Sequence, residues 1–326
     1  YSNICQKSLM KYINDLVRFF LTFLSFPYNL KREKLSKNQE LIIQRIQDNL
    51  KNLIRESDDK LLTHQHFSNS VTSLIREGKL KNFLRKGFIQ KMFFVHNRFY
   101  NLKFLKKIIN SKQENWIQLL SENEIGNPVP FFMNKKTSGN RIRHVYLAKE
   151  IYDFGNIKKL DAVIEIGGGY GCMASIFNKI DKKINYTIFD LPEVNLLAYY
   201  YLGSQNIDCG LNSVNKQINL ISDIKLIQKK FEMYQNENQS ILFIANWSLS
   251  EMPIKLRLKL EYLIKNCTYG IISFQSTFEE ISNVNYFNKL KKELGNTYVS
   301  NIKNLEQMNS NLNSIDHFTF LFKKNI

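Results

Sequence analysis

Apolar residues along the chain of 326 residues keep two different rhythms. Up to about residue 155 they recur every three to four positions, as in helices that bury one face. Leu41, Ile42, Ile46, Leu50, Leu53 and Ile54 predict one amphipathic helix within Ser36–Leu62, and residues 1–30 predict another, ended by Pro27. Phe67–Phe94 is punctuated by Gly78 and Gly87 into short helices, and Arg98–Leu120 continues as helix with Trp116 buried. Glu124–Arg143 carries two prolines and two glycines and reads as a loop with a short extended piece at Pro128–Phe132. Arg141, Arg143, His144 and Tyr146 then open a helix to about Phe154 that packs over the mouth of whatever site follows.

From Asp161 the rhythm changes to short apolar runs alternating with helical ones. Ala162–Ile166, Tyr186–Phe189, Gln217–Ile221, Ile241–Ala245 and Tyr269–Phe274 read as strands. Helices are predicted between and after them, and Thr297–Ile302 with Phe318–Phe322 as a closing antiparallel pair. This alternation predicts an α/β fold: a mostly parallel, Rossmann-like sheet with helices on both faces, behind an α-helical N-terminal domain. The boundary falls near residue 150, giving 1–150 as a helical cap and 151–326 as the sheet domain. No internal repeat is visible.

One stretch within the sheet domain carries chemistry. Asp161–Pro192 reads strand, glycine turn (Gly167, Gly168, Gly169, Tyr170, Gly171), helix, strand, then Asp190. This is a βαβ unit with a nucleoside-binding turn, since a side chain at the glycines would keep a ligand off the backbone. Asp190 stands where a carboxylate can accept from both ribose hydroxyls. A dinucleotide turn would need a third glycine where Cys172 stands, and Glu165 inside the first strand is atypical of it. Strand-E-x-G-G-G-x-G instead resembles the first motif of class I S-adenosylmethionine-dependent methyltransferases. A buried βαβ unit of another α/β enzyme is the alternative reading.

Leu74–Phe88, Ile125–Pro128, Val163–Gly171, Phe189–Val194 and Asn246–Pro253 together resemble the sugar O-methyltransferase family. The likeness spans most of the chain from about residue 70. It implies S-adenosyl-L-methionine as cofactor and a hydroxyl of a glycan or glycan precursor as acceptor. Under that resemblance Gly167, Gly168, Gly169 and Tyr170 form the turn that approaches the methionine end, and Asp190 takes the ribose. Glu165, buried and needing a partner, bonds loop amides or the ammonium group. Leu191 flanks the adenine, Asp223 accepts from its amino group, and Asn246 ends the fourth strand in the crevice; a helix N-cap is the plain reading of Asp223 and Asn246. Methyl transfer to an alcohol needs alignment and a base for a poorly acidic proton. Glu251, in the loop after the fourth strand, is the first candidate, then His144, then His317, which opens the last strand and has a structural reading there. Glu251 also has a plain reading as cap of the helix near Pro253.

Charge and composition change the picture at the edges. The net charge of +17 is concentrated early: residues 1–150 hold 27 Lys/Arg against 12 Asp/Glu, leaving +2 for the rest. Such a surface suits polyanions, and a Lys- and Asn-rich coding bias is the alternative explanation. The partners expected are a glycan, nucleotide-sugar or lipid-linked sugar acceptor, with peripheral contact at an anionic membrane face. RNA or DNA methylation by the basic half is the second reading, against which stands the lack of an NPPY-type or catalytic-cysteine motif. A non-catalytic interaction module is the third. The four cysteines form no CxxC pair, which points to a reducing, cytoplasmic compartment and away from zinc. His64 and His66 sit two apart without a third ligand and read as exposed or capping, so no metal is expected. Val17–Phe26 is too short to span a bilayer, which needs ~20 apolar residues.

Overall fold

The computed structural model describes residues 34–53, 65–93, 99–132, 134–305 and 316–325. The expected first helix, His64 and Cys5 lie outside them. The early apolar periodicity forms α1 (Lys37–Leu53), α2 (Gln65–Arg76), a 3-10 turn (Phe83–Arg85), α3 (Gly87–Met92), α4 (Phe99–Asn110) and α5 (Glu114–Gln118). The helix expected over Arg98–Leu120 is therefore broken, at Lys112 with φ +55°. Trp116 is buried and His66 exposed, as read from the sequence.

The Pro/Gly segment holds more order than a loop. β1 (Pro130–Phe131) pairs antiparallel with β2 (Asn134–Ser138). Ser138 caps α6 (Gly139–Gly155), its Oγ accepting from the Arg141 amide at 3.1 Å. Asn156, in the left-handed region, ends that helix.

The remaining elements alternate as expected: β3 (Ala162–Ile166), α7 (Cys172–Ile180), β4 (Asn185–Phe189), α8 (Pro192–Gly203), β5 (Cys209–Leu211), β6 (Ile218–Ile221), α9 (Ile224–Asn236), β7 (Ile241–Asn246), α10 (Ile254–Asn266), β8 (Tyr269–Gln275), the small hairpin β9 (Thr277–Phe278) and β10 (Ile281–Ser282), α11 (Asn283–Leu294), β11 (Tyr298–Asn304) and β12 (His317–Lys324). Eight strands form one sheet in the order β11-β12-β8-β7-β3-β4-β6-β5. β5 through β8 with β3 and β4 are parallel; β12 runs antiparallel between β8 and β11. Without the short edge strand β5, this is a seven-stranded Rossmann-like sheet in which β12 alone runs against the rest.

Alternate residues of each strand feed two cores. Val163, Tyr186, Leu242 and Ile271 face α6, α7, α8 and the N-terminal helices, whose buried residues belong to the same cluster. Ile164, Phe189, Phe243 and Ile272 face α9, α10 and α11. The strand order reverses at β3, so β4 and β7 leave it on opposite sides and a crevice opens at their carboxyl ends.

Candidate active site

The glycine turn follows β3 directly. Gly167 has φ +73°, and a Cβ there would lie 2.2 Å from the Ser248 Cβ. Ser248 comes from the loop after β7 and donates its hydroxyl to the Ile166 carbonyl, locking that loop onto the turn. Gly169 has φ +57°, and a Cβ there would meet the Phe93 ring at 2.9 Å. The turn is thus closed on one side by the β7 loop and on the other by an aromatic ring from the N-terminal helices.

Asp190 ends β4 across this turn. Its Oδ2 accepts from the Gly169 amide at 2.8 Å and its Oδ1 from the Leu191 amide at 2.7 Å. Each oxygen keeps a second lone pair for a ligand hydroxyl. Burial pushes the carboxyl up to about 7 although both amides pull it down. Glu165, almost fully buried in β3, accepts from the Tyr186 hydroxyl at 2.8 Å, and burial raises it to about 8, with the nearby Asp190 adding to the rise. The partner expected for Glu165 from loop amides is instead a phenol on the neighbouring strand.

Tyr170 is turned away from the crevice. Its ring packs among Phe83, Phe93 and Tyr201, and its hydroxyl accepts from Asn140 at 2.8 Å. Only its backbone belongs to the turn, so the side chain anchors the N-terminal helices. Asp223 is exposed and caps α9, accepting from the Lys225 amide at 2.7 Å. Leu191 precedes Pro192, the first residue of α8, at the same rim.

Asn246 closes β7. Its Oδ1 accepts from Ser273 at 3.2 Å, while its Nδ2 is buried with no partner among the described residues. A buried unpaired amide donor is costly, and a bound acceptor atom would satisfy it. Trp247 follows with φ +67°, a conformation costly for a bulky residue. Its indole Nε1 donates to His317 Nδ1 at 3.0 Å, and the Arg143 guanidinium lies 5.0 Å from its ring centre. Arg143 donates in turn to Asn140 Oδ1 at 2.6 Å and to the Phe93 carbonyl at 3.2 Å.

Glu251 lies at the end of the short 3-10 turn Ser248–Glu251. It does not cap α10, whose N-cap is Pro253 with no side-chain bond. Gln275 Nε2 donates to it at 3.4 Å, and burial raises its carboxyl to about 7. Gln275 stands opposite His317 in the β8–β12 register. The loop is held from beneath by Arg257, fully buried, which donates to the carbonyls of Met252 at 2.8 Å and Ser250 at 2.6 Å and to Asn283 at 2.7 Å.

The structure therefore gathers Asn246, Glu251 and His317 at the ends of β7, β8 and β12. His144 is differently placed: its Nδ1 bonds the Asn140 carbonyl one turn earlier at 2.8 Å. Burial and Arg143 lower it to about 3, so it is a neutral and weak base. Burial, with Arg143 adding to it, also lowers His317. Sequence reasoning gives no role to Phe93, Trp247, Ser248 or Gln275, and places Arg143 only on the helix over the mouth of the site. The segment Asn246–Pro253 stands out in the sequence, but which of its residues lock the loop depends on packing that spacing does not encode.

The fold is a Rossmann-like α/β sheet whose crevice carries a glycine turn, an acid after the second strand and a polar cluster at the fourth. No family model matches the chain. A stretch of 97 residues is 34% identical to the ribosomal RNA small subunit methyltransferase A of Wigglesworthia glossinidia brevipalpis, covering 30% of this chain and 34% of that protein. The chain thus matches about a third of the length of that curated relative. Among solved structures, phosphoethanolamine N-methyltransferase 2 of Haemonchus contortus, in complex with S-adenosyl-L-methionine, superposes with TM-score 0.41 at 11% identity, over 69% of this chain and 60% of that one. A SAM-dependent methyltransferase of Agrobacterium tumefaciens gives TM-score 0.36 at 9% identity, over 56% of this chain and 61% of that one.

Proposed function

We propose that this chain is an S-adenosylmethionine-dependent O-methyltransferase acting on a sugar hydroxyl of a glycan or glycan precursor. The observation that carries the proposal is the placement of Asp190, bonded to the Gly169 and Leu191 amides across the glycine turn, together with Glu251, bonded by Gln275 at the end of the β7 loop. The cofactor supplies a methyl group already activated on a sulfonium. The residues present fit it: Asp190 keeps lone pairs for a ribose diol, and the Asn246 Nδ2 donor lacks a partner among the described residues.

The acceptor chemistry falls to the other rim. Glu251 takes the hydroxyl proton, directly or through one water, with an affinity matched to neutral pH. Gln275 orients it, and Arg257 fixes the loop that carries it. Trp247 and His317 wall the same end of the sheet and exclude water.

A second reading, methylation of RNA, is favoured by the matched stretch of the ribosomal RNA enzyme and by the basic N-terminal half. Transfer of labelled methyl from S-adenosylmethionine into a glycolipid and polysaccharide fraction, compared with total RNA, separates the two. Label in the glycan fraction that is lost in Glu251→Gln supports the first. Label in RNA alone overturns it.

A further inference from the structure

The outer surface of α10 is unusual for a helix packed on a sheet. Its inner face, Arg257, Leu260, Leu263 and Ile264, is buried. Ile254, Leu258 and Tyr262, spaced four apart and so on one side, are 37%, 56% and 46% exposed. Lys255 and Lys259 stand beside this stripe, both exposed. The single acid of the helix, Glu261, is tied to Lys265 and to the Tyr286 hydroxyl. α9 runs alongside, Gln228 reaching the Lys259 carbonyl and Gln235 the Tyr262 hydroxyl. It adds two more exposed cations, Lys225 and Lys229, and one exposed acid, Glu232.

We infer that this face of α10 docks the protein on an anionic membrane surface and that the acceptor sugar is presented there on a lipid. An apolar stripe bordered by lysines matches an interface where apolar side chains enter the headgroup boundary and cations meet anionic lipid. Lysine stems can lie along an apolar surface while their ammonium groups reach out. No helix among the described residues is long and apolar enough to cross a membrane. The position gives it a purpose: α10 begins three residues after Glu251, so the stripe starts at the rim where the acceptor hydroxyl must arrive. A lipid-borne sugar would reach the crevice without leaving the surface. The membrane contact stands on the surface itself; the lipid-linked acceptor rests on the methyltransferase reading.

Co-sedimentation with phosphatidylglycerol–phosphatidylcholine vesicles tests it, with phosphatidylcholine vesicles as control. The wild type should bind the anionic vesicles in a salt-sensitive way and the control weakly. Leu258→Glu should lower binding at least about tenfold, and Lys255→Glu with Lys259→Glu comparably. Both variants alter exposed side chains and should keep the wild-type melting temperature and affinity for S-adenosylhomocysteine. Equal binding by wild type and Leu258→Glu, or none by the wild type, overturns the inference. So does a wild-type dimer that Leu258→Glu dissociates without vesicle binding, which would make the face a contact between copies. Failure of S-adenosylhomocysteine to bind the wild type would instead strike the methyltransferase reading and leave the vesicle result standing.

Discussion

Glu251 carries the proposed proton transfer, and its environment sets a test. Burial holds its carboxyl near 7, so the ionised, basic form dominates only above that pH. kcat/KM should therefore rise with pH through about 7 and level off. Glu251→Gln keeps the shape and the Gln275 contact but loses the basicity. Turnover should fall ~10²–10⁴-fold, the rising limb should disappear, and cofactor affinity should stay within about twofold. His144→Ala should not reproduce this, because a ring lowered to about 3 and bonded within its own helix is a poor base. A dead His144→Ala beside an active Glu251→Gln would exchange their roles. The sequence places Glu251 in the loop after the fourth strand and leaves open whether it is a cap. That question is decided by where α10 starts, which Pro253 and Arg257 set together.

At the scale of elements, the loop Asn246–Met252 is the part on which the site depends. It is fastened at three points: Ser248 to the Ile166 carbonyl, Trp247 to His317, and Arg257 to the carbonyls of Ser250 and Met252. Gly167→Ala attacks the first. Its Cβ would collide with Ser248 and the residue would have to hold φ +73°. Cofactor binding should drop sharply, and thermal melting should show a loss of ~1–3 kcal/mol. A variant with unchanged melting and binding would mean that the turn and loop move independently. The strands of the sheet and the helix α7 were legible in the sequence because burial on both faces leaves continuous apolar runs. β5 and β2 were not: Cys209–Leu211 and Asn134–Ser138 are short, and only their neighbours make them strands. Asp190 was legible from its place after a strand. The inward turn of Tyr170 was not, because it depends on Phe83, Phe93 and Tyr201 arriving from distant segments.

For the whole molecule, the N-terminal helices share a core with one face of the sheet and press Phe93 onto the glycine turn, so they take part in building the site. The crevice also concentrates carboxyls whose proton affinity burial raises: Glu165 near 8, Asp190 and Glu251 near 7. In the unfolded chain such groups ionise near 4. Between about pH 4 and 8 the native state therefore holds more protons than the unfolded one, and stability falls as pH rises. Each group contributes up to about 1.4 kcal/mol per pH unit inside its window. The melting temperature of the cofactor-free protein should be lower at pH 8 than at pH 6, and Glu165→Gln should flatten that slope. A melting temperature that rises over this range would contradict the assigned burial. The central claim, that the turn and Asp190 hold an adenosyl cofactor, is tested most directly by calorimetric titration of S-adenosylhomocysteine into wild type and Asp190→Ala. Saturable one-to-one binding is expected, weakened by ~1–3 kcal/mol in the variant, as for lost hydrogen bonds to a charged group. No binding to the wild type, or equal affinity for both proteins, would contradict it.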